Sequence, residues 1–390
     1  MSEPSVRPSY YAQCCAEPYR IFFPLGTLVG ISGVSLWPLF FAGMHHSFYP
    51  GVMHARLMIE GFMGAFVFGF LGTAAPRLTG TPHLSRGELW TLLALYVAMV
   101  ATHIAEQPVV GDVLFLLLLA VFAVMLAWRF ARRTERPPPG FVLVGFGFVN
   151  AFVGALLAVL GTMTLSPRVA LAGANLLHVG WVLLHILGLG GFLLPRMLGL
   201  PPAEETPNWT ARAQLAGTIG AIITGTLLVE PFVSWPVALA AVRVLAAGIW
   251  LAANLPLHRV RVPNVTLTLA LRAALLLLVI GLAFPLCWPL QRAAGLHVVF
   301  LGGFSLMAFT VGTRVVLGHG GFSHLFPTRL PFLLAAAFLI LSATALRVAG
   351  DFVPLKRANL LTGASHAWML GAVLWAVFVV PKLRAADSAP

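Results

Sequence analysis

Long apolar stretches alternate with short polar connections along the whole chain. The stretches run for about 17–25 residues, which is the length of an α-helix that crosses a bilayer, and Pro or Gly occurs in nearly every gap between them. About twelve such stretches can be counted, beginning near positions 20, 54, 88, 112, 140, 169, 212, 237, 264, 295, 331 and 359. A transmembrane β-barrel would instead show segments of about 10 residues with alternating hydrophobicity. The pattern therefore predicts an all-α integral membrane protein, a bundle of about twelve transmembrane helices.

The longest connection, residues 197–211, divides the chain into two six-helix halves, 1–196 and 212–390. No convincing repeat relates the halves, and we expect one polytopic membrane domain over residues 1–390. The Arg and Lys residues of the connections concentrate on the side of the membrane that holds both termini, for example at Arg132, Arg133 and Arg136. By the positive-inside rule both termini are predicted to be cytoplasmic, in a multi-pass protein of the bacterial inner (cytoplasmic) membrane.

Composition supports the membrane assignment and removes other classes. The 390 residues are 59% hydrophobic and 9% charged, whereas a soluble globular protein carries roughly 25% charged residues. The formal charge of +12 is distributed over short connections and forms no basic groove, so no nucleic-acid partner is expected. The first 20 residues lack an apolar core and predict no cleavable signal peptide. Three cysteines, two of them adjacent at Cys14 and Cys15, predict no disulfide framework.

The twelve histidines carry the candidate chemistry, because ionisable groups inside a bilayer are costly and usually mark a functional site. His178 and His185 share one apolar run and lie seven residues apart. That step is about two helical turns, which leaves both imidazoles on one face, ~10 Å apart and too far to share one metal. Four histidines on different helices fall at similar depth in the half of the membrane opposite the termini: His54, His178, His297 and His366.

Imidazole is the commonest ligand for copper and haem iron, and facing helices of a bundle build such sites. The agreement in depth therefore predicts a metal centre ligated by His54, His178, His297 and His366. His185 lies deeper, and is either a further haem-ligand candidate or a helix contact. A hydrogen-bonded helix-contact role and a proton relay are the alternatives for His178, His185, His297 and His366. The remaining histidines at helix ends and in connections are interpreted mostly as interfacial anchors, among them His45, His46, His83, His103, His258 and His324.

Other polar groups predicted inside the membrane can complete such a centre. Glu60 can orient an imidazole as a carboxylate partner or accept a proton, and a pair with a nearby Arg is equally consistent. Arg56, Arg243 and Arg292 are candidates for holding haem propionates, since guanidinium groups bind carboxylates bidentately. Arginines that reach toward the interface are the alternative.

Several motifs go beyond composition. The segment MHARLMIEGFMGAFVFGFLGTAAPRLTG, residues 53–80, resembles the second helix of the NnrS family, which are polytopic haem- and copper-containing membrane proteins of nitric oxide response and denitrification. The segment HVVFLGGFSLMAFTVGTRVVLGHGG, residues 297–321, is similar to the family's tenth helix, which opens with His and closes Thr-Arg-x-x-Leu-Gly-His. GLGGFLLP, residues 188–195, is similar to the family's Ile-Gly-Gly-Arg-x-Ile-Pro string. The resemblance covers most of the chain in the right order.

The chain also departs from the family pattern. Arg56 and Leu57 stand where the family's His-x-His-Glu string has its second His and its Glu, and Phe192 replaces the Arg after Gly-Gly. The ninth-helix His of the family has no counterpart, and Arg272 lies in that region. These departures favour a divergent member, one in which His178, His185 and His366 replace the missing ligands.

The resemblance implies a haem b protein, with copper as a further cofactor, whose metal lies near the periplasmic face. It implies a small diatomic ligand such as nitric oxide, an unidentified electron donor and the lipid bilayer as partners. Thr313, Arg314 and His319 are interpreted as structural. A secondary transporter is the main alternative, because two halves of six helices fit one. A terminal oxidase or nitric oxide reductase subunit is the lesser alternative, since no His-x-His pair exists and His45-His46 falls in a loop. Whether the protein is an enzyme stays open.

Overall fold

The computed structural model describes residues 9–44, 47–198, 208–255 and 265–385, and within these ranges every regular element is helical. Twelve helices are long and apolar enough to cross a membrane, which confirms the predicted fold class. They are α1 (Tyr19–Phe41), α2 (Pro50–Thr79), α3 (Arg86–Ile104), α4 (Pro108–Ala131), α5 (Phe141–Met163), α6 (Pro167–Met197), α7 (Trp209–Phe232), α8 (Pro236–Asn254), α9 (Thr266–Cys287), α10 (Arg292–His319), α11 (Pro331–Phe352) and α12 (Pro354–Arg384).

Prolines set many of the helix starts. Pro stands in the first turn of α2, α4, α6, α8 and α11, where its fixed φ suits the helix and its missing N–H costs no hydrogen bond. α3 begins differently, at a capping box in which the Ser85 side chain accepts from the Glu88 N–H and Glu88 accepts from the Ser85 N–H. The connections can therefore be short, and successive helices pack as antiparallel neighbours.

Polar contacts at one end of the bundle tie the two ends of the chain together. Arg20, at the start of α1, donates to the carbonyls of Leu383 and Ala385 at the end of α12. Glu17 accepts from Arg77 of α2 at 2.7 Å and pairs with His319 of α10 at 2.7 Å. The two ends of the described chain, residues 9 and 385, thus lie on the same side of the bundle, called the termini side below. The opposite side, which holds the connection between α1 and α2, is called the far side.

Three helices form the inner layer of the bundle. α2, α6 and α10 are more buried than the other nine and longer than most of them, at 30, 31 and 28 residues. Each contains a π-helical segment, at Leu57–Met63, Asn175–Gly180 and Val298–Ser305, and these are the π segments of the described chain. π segments are rare and occur mostly at functional sites, because the extra residue per turn redirects side chains. The functional site is therefore expected between these helices.

Aromatic side chains fill the space between the inner helices, starting within the π segment of α2 and continuing toward the termini side. Phe62 of α2 packs against Phe309 of α10 with ring centroids 5.5 Å apart, and Phe68 of α2 contacts Trp181 of α6 at 6.4 Å. Such edge and tilted contacts bury large areas of ring without close approach of the backbones. The packing fixes α2, α6 and α10 at a separation that leaves room for a cavity on the far side of Phe62.

Two glycines are needed where a ring lies against a neighbouring helix. A Cβ at Gly147 of α5 would overlap the His185 ring, and a Cβ at Gly111 of α4 would overlap the His103 ring. Both imidazoles are buried because the facing helix carries no side chain at the contact. The environment of each histidine is therefore set by a residue on another helix.

Candidate metal centre

Three of the predicted histidines line one cavity in the far half of the bundle. His54 comes from α2, His178 from the π segment of α6, and His297 from the residue before the π segment of α10. The cavity has a volume of about 210 Å³, and α1, α11 and α12 complete its walls. The structure thus brings together residues that are far apart in sequence on the three inner helices.

Backbone hydrogen bonds fix the rings of two of these histidines. The Nδ1 of His54 lies 3.0 Å from the Gly33 carbonyl, and the Nδ1 of His297 lies 2.7 Å from the Ala293 carbonyl. A carbonyl only accepts, so in both rings Nδ1 carries the proton and Nε2 keeps its lone pair. His178 forms no hydrogen bond with the described part of the chain. The three imidazoles therefore present unprotonated nitrogen donors, which is the state in which histidine binds a metal.

The walls around the histidines are mainly apolar and aromatic. Trp37 packs edge-on against His54 with ring centroids 6.0 Å apart, and Phe300 packs against His297 at 5.9 Å. Two thioethers, Met58 and Met63, also line the cavity. Sequence reasoning had matched Met58 to a family motif without treating it as a donor. Thioether sulfur is a soft ligand that suits copper in its reduced state.

Arg347 of α11 is the one arginine among the lining residues. Its guanidinium lies 3.0 Å from the Asp351 carboxylate and interacts electrostatically with His54 and His297. In the sequence, Arg347 is one of the cations near a helix end on the side opposite the termini, where topology alone accounts for a positive charge. Its position about one turn from the end of a spanning helix, at the depth of His54 and His297, was the signal that could have identified it.

His366 does not join the other three. Leu361, Ala364, Ser365 and Trp368 form the face of α12 that lines the cavity, whereas His366 is exposed on another face of the helix. One residue beyond Ser365 corresponds to a rotation of about 100°. The structure therefore does not bring His366 together with the other three, because its face of the helix is not the one that lines the cavity.

His185 lines a second, smaller cavity of about 100 Å³ that is almost entirely apolar. Its Nδ1 lies 2.7 Å from the Trp181 carbonyl, and its buried Nε2 has no hydrogen-bond partner. Met63 and Phe304 line both this cavity and the one around His178. His185 is therefore separated from the three-histidine cavity by these two side chains.

The three arginines expected to hold propionates all have protein partners outside the cavity. Arg56 binds Asp112 of α4 through two hydrogen bonds, of 2.6 and 2.7 Å. Arg243 pairs with Glu230 at 2.5 Å, and Arg292 lies 3.6 Å from Glu230 and donates to Asn175. None of the three lines the histidine cavity, and a role in holding propionates stays a prediction. Intramembrane charges are paired where they can be, because an unpaired charge is costly in the bilayer.

Glu60 contacts an imidazole, as expected of a carboxylate partner, but that imidazole is not one of the three in the cavity. Its carboxylate lies 2.9 Å from the Nε2 of His103, and both side chains are buried. Donor atoms of Glu60, His103 and Asp112 all lie within 4.8 Å of one another, next to Arg56. His103 was interpreted as an interfacial anchor because it lies at the end of α3, and its burial against Gly111 could not be read from that position.

The remaining polar motif residues lie at the termini side and have structural contacts. Thr313 accepts from the Trp375 indole N–H at 2.9 Å, Arg314 covers the Phe326 ring, and His319 belongs to the Glu17 cluster. His83 lies exposed in the α2–α3 connection, and His324 in a short 3₁₀ turn. His45, His46 and His258 lie outside the described residues.

The fold and the cavity define a class: a polytopic helical membrane protein whose three inner helices direct histidines into one apolar cavity. A comparison with protein families identifies the particular one. The family described as NnrS protein matches residues 13–386, nearly the whole chain. The chain therefore belongs to the NnrS family, and the resemblance drawn from its motifs is confirmed. No match was found among curated proteins.

Proposed function

We propose that the protein holds a metal centre in the far-side cavity through His54, His178 and His297, and acts in nitric oxide response or tolerance, or in denitrification. The group is haem b, with copper as the second candidate. The single observation that carries the proposal is the convergence of three imidazoles, one from each inner helix, on a mainly apolar cavity beside three π segments. The proposal places the protein in the bacterial inner membrane with this cavity toward the periplasm.

The donor set fits either group. Two imidazoles have Nδ1 fixed by carbonyls, which leaves Nε2 free to coordinate, and haem and copper are both commonly ligated in this way. Such a metal, when bound, supplies a coordination position for a diatomic ligand such as nitric oxide. The apolar walls exclude water, and Arg347 places one positive charge next to His54 and His297.

The volume of the cavity distinguishes copper from haem as the bound group. A volume of about 210 Å³ accommodates a copper ion with histidine and thioether ligands as it stands. Sites for larger organic ligands usually span about 300–1,000 Å³. A haem macrocycle therefore requires the cavity to join its neighbour around His185, which needs Met63 and Phe304 to change rotamers. In that case His185 becomes available to the same group.

An optical spectrum with metal analysis tests the proposal. The protein is purified in detergent, and spectra are recorded oxidised and dithionite-reduced, alongside elemental analysis for iron and copper. His178→Ala and His297→Ala are expected to shift or abolish the haem bands, or to lower the copper content if copper is the group. His366→Ala is the matched control, since its Nδ1 makes the same contact with a backbone carbonyl outside the cavity.

Two results would refute the metal centre. One is purified protein with neither a Soret band nor bound copper, after expression with iron and copper supplied. The other is an equal loss of metal in the His366→Ala control. Either result would favour the transporter alternative, for which Arg347 would be the charge that contacts a substrate.

A further inference from the structure

A second polar pocket lies at the opposite end of the bundle. It opens between α5, α6, α7 and α8 on the termini side and has a volume of about 600 Å³, the largest of the main cavities in the described part of the chain. Its lining is about half polar and half apolar. Three arginines, Arg136, Arg196 and Arg212, lie around it. The histidine cavity plays no part in this pocket.

Within the described ranges, no acidic side chain balances the charge of this pocket. No carboxylate is among the lining residues, and none of the three arginines forms an ion pair within the described ranges. Arginines elsewhere in the chain have carboxylate partners, as Arg129 has in Glu88 at 2.8 Å and Arg243 in Glu230. Three guanidinium groups around one concave site create a positive potential that attracts an anion.

Two of the three arginines lie over aromatic rings. Arg136 lies over the Trp209 ring at 4.0 Å, and the Trp209 N–H in turn donates to the Pro137 carbonyl at 2.9 Å. Arg196 lies over the Phe192 ring at 4.2 Å. A guanidinium stacked in this way keeps its N–H groups free for a planar or tetrahedral oxyanion. The pocket is therefore arranged in advance to bind phosphate oxygens.

The position of the pocket indicates the source of the phosphate. It lies at the ends of four spanning helices, where Trp209 and the ends of α6 and α8 mark the boundary between the apolar bundle and water. Phospholipid head groups occupy this level, and basic pockets between transmembrane helices bind anionic head groups. The apolar half of the lining, which includes Trp250 and the prolines 137–139, suits the acyl and glycerol portions.

We propose that this pocket binds the phosphate of an anionic phospholipid, with Arg136, Arg196 and Arg212 as the phosphate-binding residues. The chemistry recognised is a phosphate group on an amphipathic molecule. A soluble phosphate ester would be recognised by the same guanidinium groups, and the test separates the two sources.

Binding is measured by native mass spectrometry and by thermal unfolding in detergent, with added phosphatidylglycerol or cardiolipin against phosphatidylcholine. Anionic lipids are expected to bind and to raise Tm, and phosphatidylcholine is not. The attraction between one arginine and an anionic head group corresponds to about a fivefold difference in affinity. Each Arg→Gln change should therefore weaken binding about fivefold, and the triple variant about a hundredfold. Arg132→Gln is the matched control, because Arg132 is on the same side and lies over Trp128 at 4.4 Å without lining the pocket.

Four outcomes would overturn the proposal. Equal binding of phosphatidylcholine would show that the negative charge of the lipid is not recognised. An equal loss of lipid binding in Arg132→Gln would show that the binding site is not this pocket. Protection by inorganic phosphate or a soluble phosphate ester, with none by anionic lipid, would assign the pocket to a soluble ligand. A further variant, Glu204→Gln with Glu205→Gln, neutralises the acids of the nearby connection. Lipid binding that arises only in that variant would mean that the acids of the connection, and not a lipid, are the partners of the three arginines in the unmodified protein. Gel filtration and the optical spectrum show that each variant is folded.

Discussion

The buried ion pair Arg56–Asp112 tests how much charge pairing contributes to the stability of this bundle. Two hydrogen bonds of 2.6 and 2.7 Å join the groups, and the Asp112 side chain is 2% exposed. Glu60 and His103 lie beside them. Removing one member of a buried pair usually costs about 3–5 kcal/mol, because it leaves the other charge uncompensated.

The two single substitutions should not cost the same. Arg56→Met leaves the carboxylates of Asp112 and Glu60, whose oxygens lie within 4.8 Å of each other, without a permanent counter-charge. We expect a loss at the upper end, about 5 kcal/mol. Asp112→Leu leaves Arg56 with the Glu60 charge still in its surroundings, and we expect about 3 kcal/mol or less. The double variant removes both charges and should recover most of the loss.

Reversible unfolding in mixed SDS and detergent micelles measures these free energies, with Arg168→Gln as a control for an exposed far-side cation. The control should change stability by less than about 0.5 kcal/mol. Equal losses for the two single variants, or a double variant no better than Arg56→Met, would refute the reasoning. Either result would mean that Glu60 and Asp112 do not depend on Arg56 for charge compensation.

Two further outcomes are expected. Gly111→Ala adds a methyl group where the His103 ring lies, and it should lower the free energy of unfolding by about 1–3 kcal/mol, while Gly145→Ala, with open space at its Cβ, should not. Burial raises the pKa of Glu17, but His319 and Arg20 outweigh it and hold that pKa at about 2, against an ordinary 4.5. This lowered pKa contributes about 3 kcal/mol above pH 4.5 that is lost as pH falls toward 2, so Glu17→Gln should flatten the acid limb of a stability–pH profile.

The number of helices and the depth of the histidines follow directly from the sequence. Both depend on span length, at 1.5 Å of rise per residue, and a small error in a helix end hardly changes the depth. The direction of a side chain is harder to predict, since an error of one residue in the position along the helix rotates the side chain by about 100° around the helix axis. His54, His178 and His297 lie both at the predicted depth and on helix faces that line the cavity, whereas His366 lies at the predicted depth on another face.

Pairing between helices could not be predicted in the same way. The partners of Arg56 and Glu60 come from α4 and α3, and sequence distance gives no information about which helices are neighbours. The π segments leave no hydrophobic signature, because an additional residue in one turn hardly changes an already apolar pattern. Arg347 was available at the correct depth, but positive charge near a helix end is also what topology alone requires.

The composition of the cavity walls has a consequence for assembly in the membrane. His54 and His178 belong to the first six helices, whereas His297, Arg347 and Trp368 belong to the last six. Helices enter the bilayer in chain order, so the pocket does not exist until the tenth to twelfth spans have been inserted and have packed against the second. Any group it holds must be acquired by a complete chain. Bound metal would then indicate that the last helices have packed against the first six, and chains truncated after the sixth span would bind none.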